Sequence, residues 1–327
     1  MLTIPQPDLD ILDFNVLEPR PFDDACITIG NFDGVHLGHQ AIIKRMVQEA
    51  HRATRPVRVI TFYPNPYVFF TNAAEAYYLS TPGEKQRQLL SLGVDQVITF
   101  KFDEDFAELI PETFLVQLKQ SFGLGVLVVG QDFALGANRQ GTIPVLKQIG
   151  RAHAFTVKTI PFIDLGGIQL SSTQIRQYLD RGEVDRAAEL LGRLYAVTGE
   201  VVHGSSRGAQ IGVPTANLAH WPGKKLPAVG VYATRVNLPG GVFQGITNVG
   251  FRPTFEDQAQ ANVEVYILNF SQNIYGQVIR LDFIQKIRDE QKFTGVDAFL
   301  AQIERDKETA KRIFEHDESK TNLPSQP

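Results

Sequence analysis

The sequence predicts an α/β chain of two domains: a parallel sheet covered by helices, then an antiparallel barrel or sandwich closed by one terminal helix. Three observations lead there. The chain has 327 residues, and domains commonly run to ~100–200 residues, so two fit. Short apolar runs alternate with amphipathic stretches up to about Leu190. Beyond it, longer runs of alternating character follow one another with little helical pattern between them.

In the first half, Cys26–Ile29, Val57–Phe62, Val97–Phe100, Val126–Val129 and Thr156–Ile160 read as buried strands, short and rich in β-branched residues. Gln40–Ala53, Glu84–Leu92, Pro111–Phe122 and Pro144–Ala152 read as the helices between them. Strand–helix alternation implies a parallel sheet, and ligands of such sheets bind beyond the C-terminal strand ends. In the second half, Tyr195–His203, Val231–Asn237, Val242–Val249, Asn262–Leu268 and Gln277–Ile287 read as antiparallel strands. Leu238-Pro239-Gly240-Gly241 reads as a hairpin turn and Gly295–His316 as the terminal helix. The domains are expected at 1–188 and 189–316, with a polar, disordered tail at 317–327.

Composition narrows the function. Lys plus Arg total 32 against 36 Asp plus Glu, which gives no broad basic field for nucleic acid. Cys26 is the only cysteine, so an internal disulfide is impossible and a cysteine zinc site is not expected. The N-terminus is acidic and broken by prolines, unlike a signal peptide, and no apolar run is long enough to cross a bilayer. A cytoplasmic protein acting on small molecules is expected. Oligomeric state is not read from the sequence.

The first candidate site follows the first strand, in Gly30-Asn31-Phe32-Asp33-Gly34-Val35-His36-Leu37-Gly38-His39. Free N–H groups at a helix start suit phosphates, and Gly38 allows close approach. His36 and His39, three apart, can share one helix face and donate to a phosphorus centre gaining charge. Such a site works by positioning, without a covalent nucleophile. This string resembles the HxGH signature of the Rossmann-like nucleotidyltransferase superfamily, in the version found in bacterial FAD synthetases. Gly130-Gln131-Asp132-Phe133-Ala134-Leu135-Gly136 resembles that family's flavin-side loop, with Ala134-Leu135 for the usual Arg-Phe. Ser171-Ser172-Thr173-Gln174-Ile175-Arg176 resembles the second signature, in which hydroxyls and an arginine clamp the triphosphate. Thr61-Phe62-Tyr63-Pro64-Asn65-Pro66 departs from the usual pattern, with Tyr63 for Asp and Asn65 for His. The resemblance implies catalysis by His36, His39 and Arg176. It implies ATP binding by Gly30, Asn31, Phe32, Asp33, Gly38, Ser171, Ser172 and Thr173, and flavin contacts at Asn65, Asp132 and Phe133.

The second half has no Walker loop and no protein-kinase motif set. It offers a glycine-rich stretch, Gly199–Gly208, then Gly212-Val213-Pro214-Thr215-Ala216-Asn217. A glycine-rich loop can lay N–H groups on phosphates, and neutral oxygens of Thr215 and Asn217 suit magnesium. On the residues alone, a flexible hairpin fits equally well. Arg207-Gly208 with Pro214-Thr215-Ala216-Asn217 resembles the riboflavin kinase signature. Gly230-Val231-Tyr232, Asn248-Val249-Gly250-Phe251-Arg252-Pro253-Thr254, Glu264-Val265-Tyr266-Ile267 and Ile287–Phe293 follow in the family's order. The resemblance covers Ala25 to Lys311. It implies a β-barrel kinase domain, with Glu264 as general base on the riboflavin 5′-hydroxyl. Gly204, Arg207, Gly208, Thr215 and Asn217 would hold ATP, the last two through magnesium. Asn248, Arg252 and Arg288 would hold the flavin. The implied function is phosphorylation of riboflavin to FMN, then adenylation of FMN to FAD. The rivals are a kinase whose N-terminal half is inactive and a flavin-binding regulatory module without turnover.

Overall fold

The computed structural model describes residues 10–19, 24–71, 77–161, 170–204, 212–252 and 260–321. The chain divides into two compact units after Ser172. The first holds strands β1 (Ile11–Leu12), β2 (Ala25–Ile29), β3 (Val57–Tyr63), β4 (Gln96–Lys101), β5 (Leu124–Gly130) and β6 (Thr156–Ile160). They form one sheet in the order β1-β4-β3-β2-β5-β6, every pair parallel. All five expected strands are present. The addition, β1, has two residues, too few to show a period.

Near-continuous apolar strands serve both faces of this sheet. Ile27, Ile29, Phe100 and Leu127 enter one core with Phe114 and Leu118 of α5 (Pro111–Phe122). Cys26, Val57, Val59 and Val128 enter the other with Ile43 and Met46 of α1 (Leu37–Arg52). Phe14 packs edge-on against Phe100 and Phe106, with centroids 5.8 and 5.6 Å away. The chain runs from β2 to β4 in one direction and then places β5 on the other side of β2. This reversal is the switch point where open α/β sheets bind ligands. It puts the loops after β2 and β5 side by side.

The second unit is a closed antiparallel barrel, which decides between barrel and sandwich. Its strands are β7 (Tyr195–Val202), β8 (Ala216–His220), β9 (Gly230–Leu238), β10 (Gly241–Arg252), β11 (Gln260–Ile267) and β12 (Val278–Arg288), closing as β10-β11-β8-β7-β12-β9. Leu238 pairs with Gly241, so Pro239-Gly240 forms the expected tight turn. Strand β8 was not expected, because Asn217 and His220 break its apolar pattern. Helices α7 (Ser172–Arg181) and α8 (Val184–Leu191) belong to this unit from Thr173 onward. Ala228 N–H donates to the Leu179 carbonyl at 2.8 Å, and Lys225 pairs with Asp180 at 2.5 Å.

The terminal helix, Val296–Thr321, lays Ala310 and Phe314 on Val231, Ile246 and Ile284 of the barrel exterior. It runs five residues past His316, so 317–321 are helical and not a disordered tail. The reason is an ion pair between Asp317 and Arg235 of β9 at 2.5 Å. A second clasp holds Arg288. Its Nε and Nη2 donate to both oxygens of Asp306, and its Nη1 donates to the Asp289 carbonyl. Asp306 is 1% exposed. Arg288→Ala removes the counter-charge of that buried carboxylate, which keeps the Gln302 amide as a donor, and costs ~3–5 kcal/mol. Urea unfolding followed by the fluorescence of Trp221, the sole tryptophan, checks this. A change below ~1 kcal/mol contradicts the clasp.

Candidate active sites

The loop from Gly30 to His36 leaves β2 at the switch point. Gly30 N–H donates to the Ile60 carbonyl at 3.0 Å, and Thr61 Oγ1 donates to the Asn31 carbonyl at 3.2 Å. Phe32 and Val35 sit at φ of 46° and 39°, which costs ~1–3 kcal/mol each for such side chains. Asp33 holds the loop in that shape. Its carboxylate accepts from Leu79 N–H at 3.1 Å and Ser80 N–H at 3.2 Å. Gly34 N–H donates back to Ser80 Oγ at 3.1 Å. The Asp33 side chain is therefore a buried brace of the loop.

His36 caps α1: its Nδ1 accepts from His39 N–H at 3.4 Å. The two imidazoles stack with centroids 3.7 Å apart, and Phe32 meets the edge of His39 at 5.2 Å. Gly38 is required by this stack, since a Cβ there would stand 3.2 Å from the His36 ring and 3.5 Å from Leu170. Burial, helped by His36 and Lys85, pushes the His39 pKa well below the usual imidazole range. His39 is therefore neutral at pH 7, and its Nδ1 has no protein partner. A neutral imidazole can donate to a phosphate oxygen without trapping it as an ion pair.

Ser172 opens α7 and donates from Oγ to the Asp33 carbonyl at 2.9 Å. The start of the second signature thus meets the first loop within this unit. Thr173 follows on the same helix, and Arg176 lies one turn beyond Ser172. Asp132 is exposed past the end of β5, while Phe133 is half-buried against the phenylalanine core. Sequence reasoning missed Lys85, on α3 (Pro82–Leu90). Its Nζ donates to the Asn31 carbonyl at 3.1 Å and to Thr61 Oγ1 at 2.8 Å. The Thr81/Glu84 capping box that starts the helix was the available signal.

The Asn65 side-chain oxygen is engaged within the protein. That oxygen accepts from Tyr67 N–H at 2.9 Å, capping α2 (Pro66–Thr71), and Asn65 N–H donates to the Tyr78 hydroxyl at 2.9 Å. Around it stands an aromatic group the motifs did not show: Tyr67 stacks on Tyr77 at 4.9 Å, and Tyr78 lies 5.9 Å from Tyr77 and 6.1 Å from Tyr63. Asn65→Ala should cost ~1 kcal/mol of stability, and Asn65→Asp, which keeps a capping oxygen, should not. Melting curves check both, and equal losses contradict the capping role.

A cavity of about 240 Å³ lies beside Cys26 on the α1 side of the sheet. Its rim cations are paired, Arg45 and Lys158 with Glu49 and Arg55 with Asp24. Burial raises the Cys26 thiol to about 11, so it is unreactive at pH 7.

In the barrel unit, register assembles the second site. Asn217 on β8 pairs with Glu264 on β11, and Glu264 pairs with Asn248 on β10. Directly paired residues share a face, so three residues spread over the sequence from Asn217 to Glu264 form one row. Val263 and Val265 point to the opposite, buried face. Glu264 accepts from Asn262 Nδ2 at 2.7 Å and from Thr215 Oγ1 at 3.4 Å. Gly204 lies against the Asn217 amide, where any Cβ would overlap it. Beside Thr215 opens a cavity of about 350 Å³, lined also by Ile267, Phe270 and Tyr275. His203 stacks on Tyr275 at 3.8 Å. Thr215, Asn217 and Glu264 offer only oxygen or amide groups, a donor set that fits magnesium shared with phosphates. Among the described residues, no group of three or more His, Cys, Asp or Glu could hold a metal alone. Arg207, Gly208 and the Arg252 side chain lie outside the described residues.

Comparison with known proteins covers both units. The FAD synthetase family model matches residues 19–174, and the riboflavin kinase family model matches residues 191–314. A bifunctional riboflavin kinase/FMN adenylyltransferase from Haemophilus influenzae is 38% identical over 297 residues, covering 90% of this chain and 96% of the relative. The chain belongs to the bifunctional riboflavin kinase/FMN adenylyltransferase family. The Escherichia coli K12 member of that family is 37% identical over 302 residues, covering 91% of this chain and 95% of its own. A solved structure described as a macrolide-efflux protein from Streptococcus pneumoniae shares the fold, with TM-score 0.82 and 30% identity over 93% of this chain and 99% of that one. Among the described residues of this family member, no helix is long and apolar enough to cross a membrane.

Proposed function

We propose that the barrel unit phosphorylates riboflavin and the parallel-sheet unit adenylates the resulting FMN, with magnesium–ATP as co-substrate of both. The kinase reading is carried by the row Asn217–Glu264–Asn248 with Thr215 at its edge. Glu264 accepts the proton of the riboflavin 5′-hydroxyl as that oxygen attacks the γ-phosphorus. The bond from the γ-phosphorus to the β–γ bridging oxygen breaks, and ADP leaves. Thr215 and Asn217 hold magnesium and the phosphates, and the neighbouring cavity takes the adenine between apolar walls. Magnesium supplies neutralisation of charge on the transferring phosphate. Asn248 orients the flavin, and Gly204, Arg207, Gly208 and Arg252 complete the substrate cradle.

In the other unit, an FMN phosphate oxygen attacks the α-phosphorus of ATP, and the bond to the α–β bridging oxygen breaks to release pyrophosphate. His36 and His39 donate to the phosphate oxygens as charge builds. Gly30, Asn31, Phe32, Gly38, Ser171 and Ser172 shape the nucleotide side. Asp132, Phe133 and the tyrosines near Asn65 line the flavin side. The substrates place the enzyme in the cytoplasm, where ATP is abundant. Isotope tracing tests this directly. Label from γ-labelled ATP should enter FMN, and label from α-labelled ATP should enter FAD alone. Failure of α-label to enter FAD leaves the rival with an inactive N-terminal half.

A further inference from the structure

Beneath the phosphate loop sits a buried cation that neither reaction above uses. Lys85 is 8% exposed. Its two hydrogen bonds go to the Asn31 carbonyl and Thr61 Oγ1, and an ammonium carries three donors. Removing an ammonium from water is costly, and an apolar chain of equal length would fill the space without that cost. The charge therefore does something that packing does not require.

The surroundings show what it acts on. Among the described residues, Asp33 from the loop and His39 from α1 interact with its charge, and β3 presents the Thr61 hydroxyl. Glu84, on its own helix, accepts from Thr81 N–H. Asp33 supports the charged form, but its oxygens already accept from Leu79 and Ser80. Burial outweighs that support and lowers the Lys85 pKa to about 8. The same charge reaches His39 and helps keep it neutral.

We propose that Lys85 is a positioning residue for adenylyl transfer: its ammonium fixes the Asn31 carbonyl against Thr61 and supplies positive charge beneath the polyphosphate carried by the loop. This rests on the reading that the loop binds ATP. A bound polyphosphate gives the lysine the counter-charge that Asp33 supplies only in part, and binding stabilises the charged form. The charge is present below the lysine pKa and is lost as pH rises through it.

The test is FAD formation from FMN and magnesium–ATP by the full chain, measured from roughly pH 6 to 10 for wild type, Lys85→Arg and Lys85→Met. Wild type should lose kcat/KM as pH rises through the region of 8. Lys85→Arg, which stays charged, should carry its decline to pH at least about one unit higher. Lys85→Met should lose ~10-fold or more at pH 7 while still forming FMN from riboflavin, which reports that the chain is folded. The wild-type and Lys85→Arg profiles decide the matter even where Lys85→Met fails to fold. Superimposed profiles for those two, or a fully active Lys85→Met, overturn this inference alone. A wild-type chain that makes no FAD overturns it together with the reading beneath it.

Discussion

Glu264→Gln lowers FMN formation by ~10²–10⁴-fold, the size of a general-base contribution, while FAD formation from supplied FMN is unchanged. Glutamine keeps the length of the side chain: its oxygen can still accept from Asn262 Nδ2, and its amide nitrogen can donate to Thr215 Oγ1. The row on the barrel exterior therefore survives, and what is lost is the ability to take a proton. Riboflavin kinase and adenylyltransferase rates on one preparation separate this from a folding defect. A variant within about threefold of wild type in FMN formation contradicts the assignment of the base.

His36→Ala has the reverse signature. FAD formation falls by ~10²–10³-fold, and FMN formation is retained. Two losses combine: a hydrogen-bond donor at the phosphate, and the cap on α1, whose acceptor is His36 Nδ1. His36→Asn separates them. Asparagine is a strong N-cap, so it restores the helix start but not the imidazole or its stack on His39. The account expects His36→Asn to recover thermal stability and to remain deficient in FAD formation. Recovery of both would reduce His36 to a cap.

These two residues also show what kind of information was legible in the chain. The HxGH string and the order of the kinase motifs identify the chemistry because each motif is local: a strand end, a glycine, two histidines three apart. The parallel sheet is legible because buried strands leave unbroken apolar runs. What is not legible is long-range. Asn217, Glu264 and Asn248 become neighbours only through barrel register, and β8, which carries Asn217, has too few apolar residues to show itself. The partners of several motif side chains were equally hidden in the sequence. Asp33, Asn65 and Arg288 lie within motifs that match a family. Yet Asp33 braces a loop 46 residues away, Asn65 caps a short helix, and Arg288 grips Asp306. A motif fixes which residues are near a site, and burial decides which of them turn toward it. Lys85 is the converse: a lysine on an amphipathic helix reads as solvent-facing until the fold shows it buried.

The central claim is that one chain carries two successive flavin reactions, and a single time course tests it most directly. Purified protein is incubated with riboflavin, ATP and magnesium, and flavins are separated by chromatography. The account predicts that FMN appears first without a lag and that FAD follows at its expense. FMN that accumulates with no FAD would contradict an active parallel-sheet unit and make Tyr63 and Asn65 the first residues to revert. Absence of FMN would contradict the account at its root.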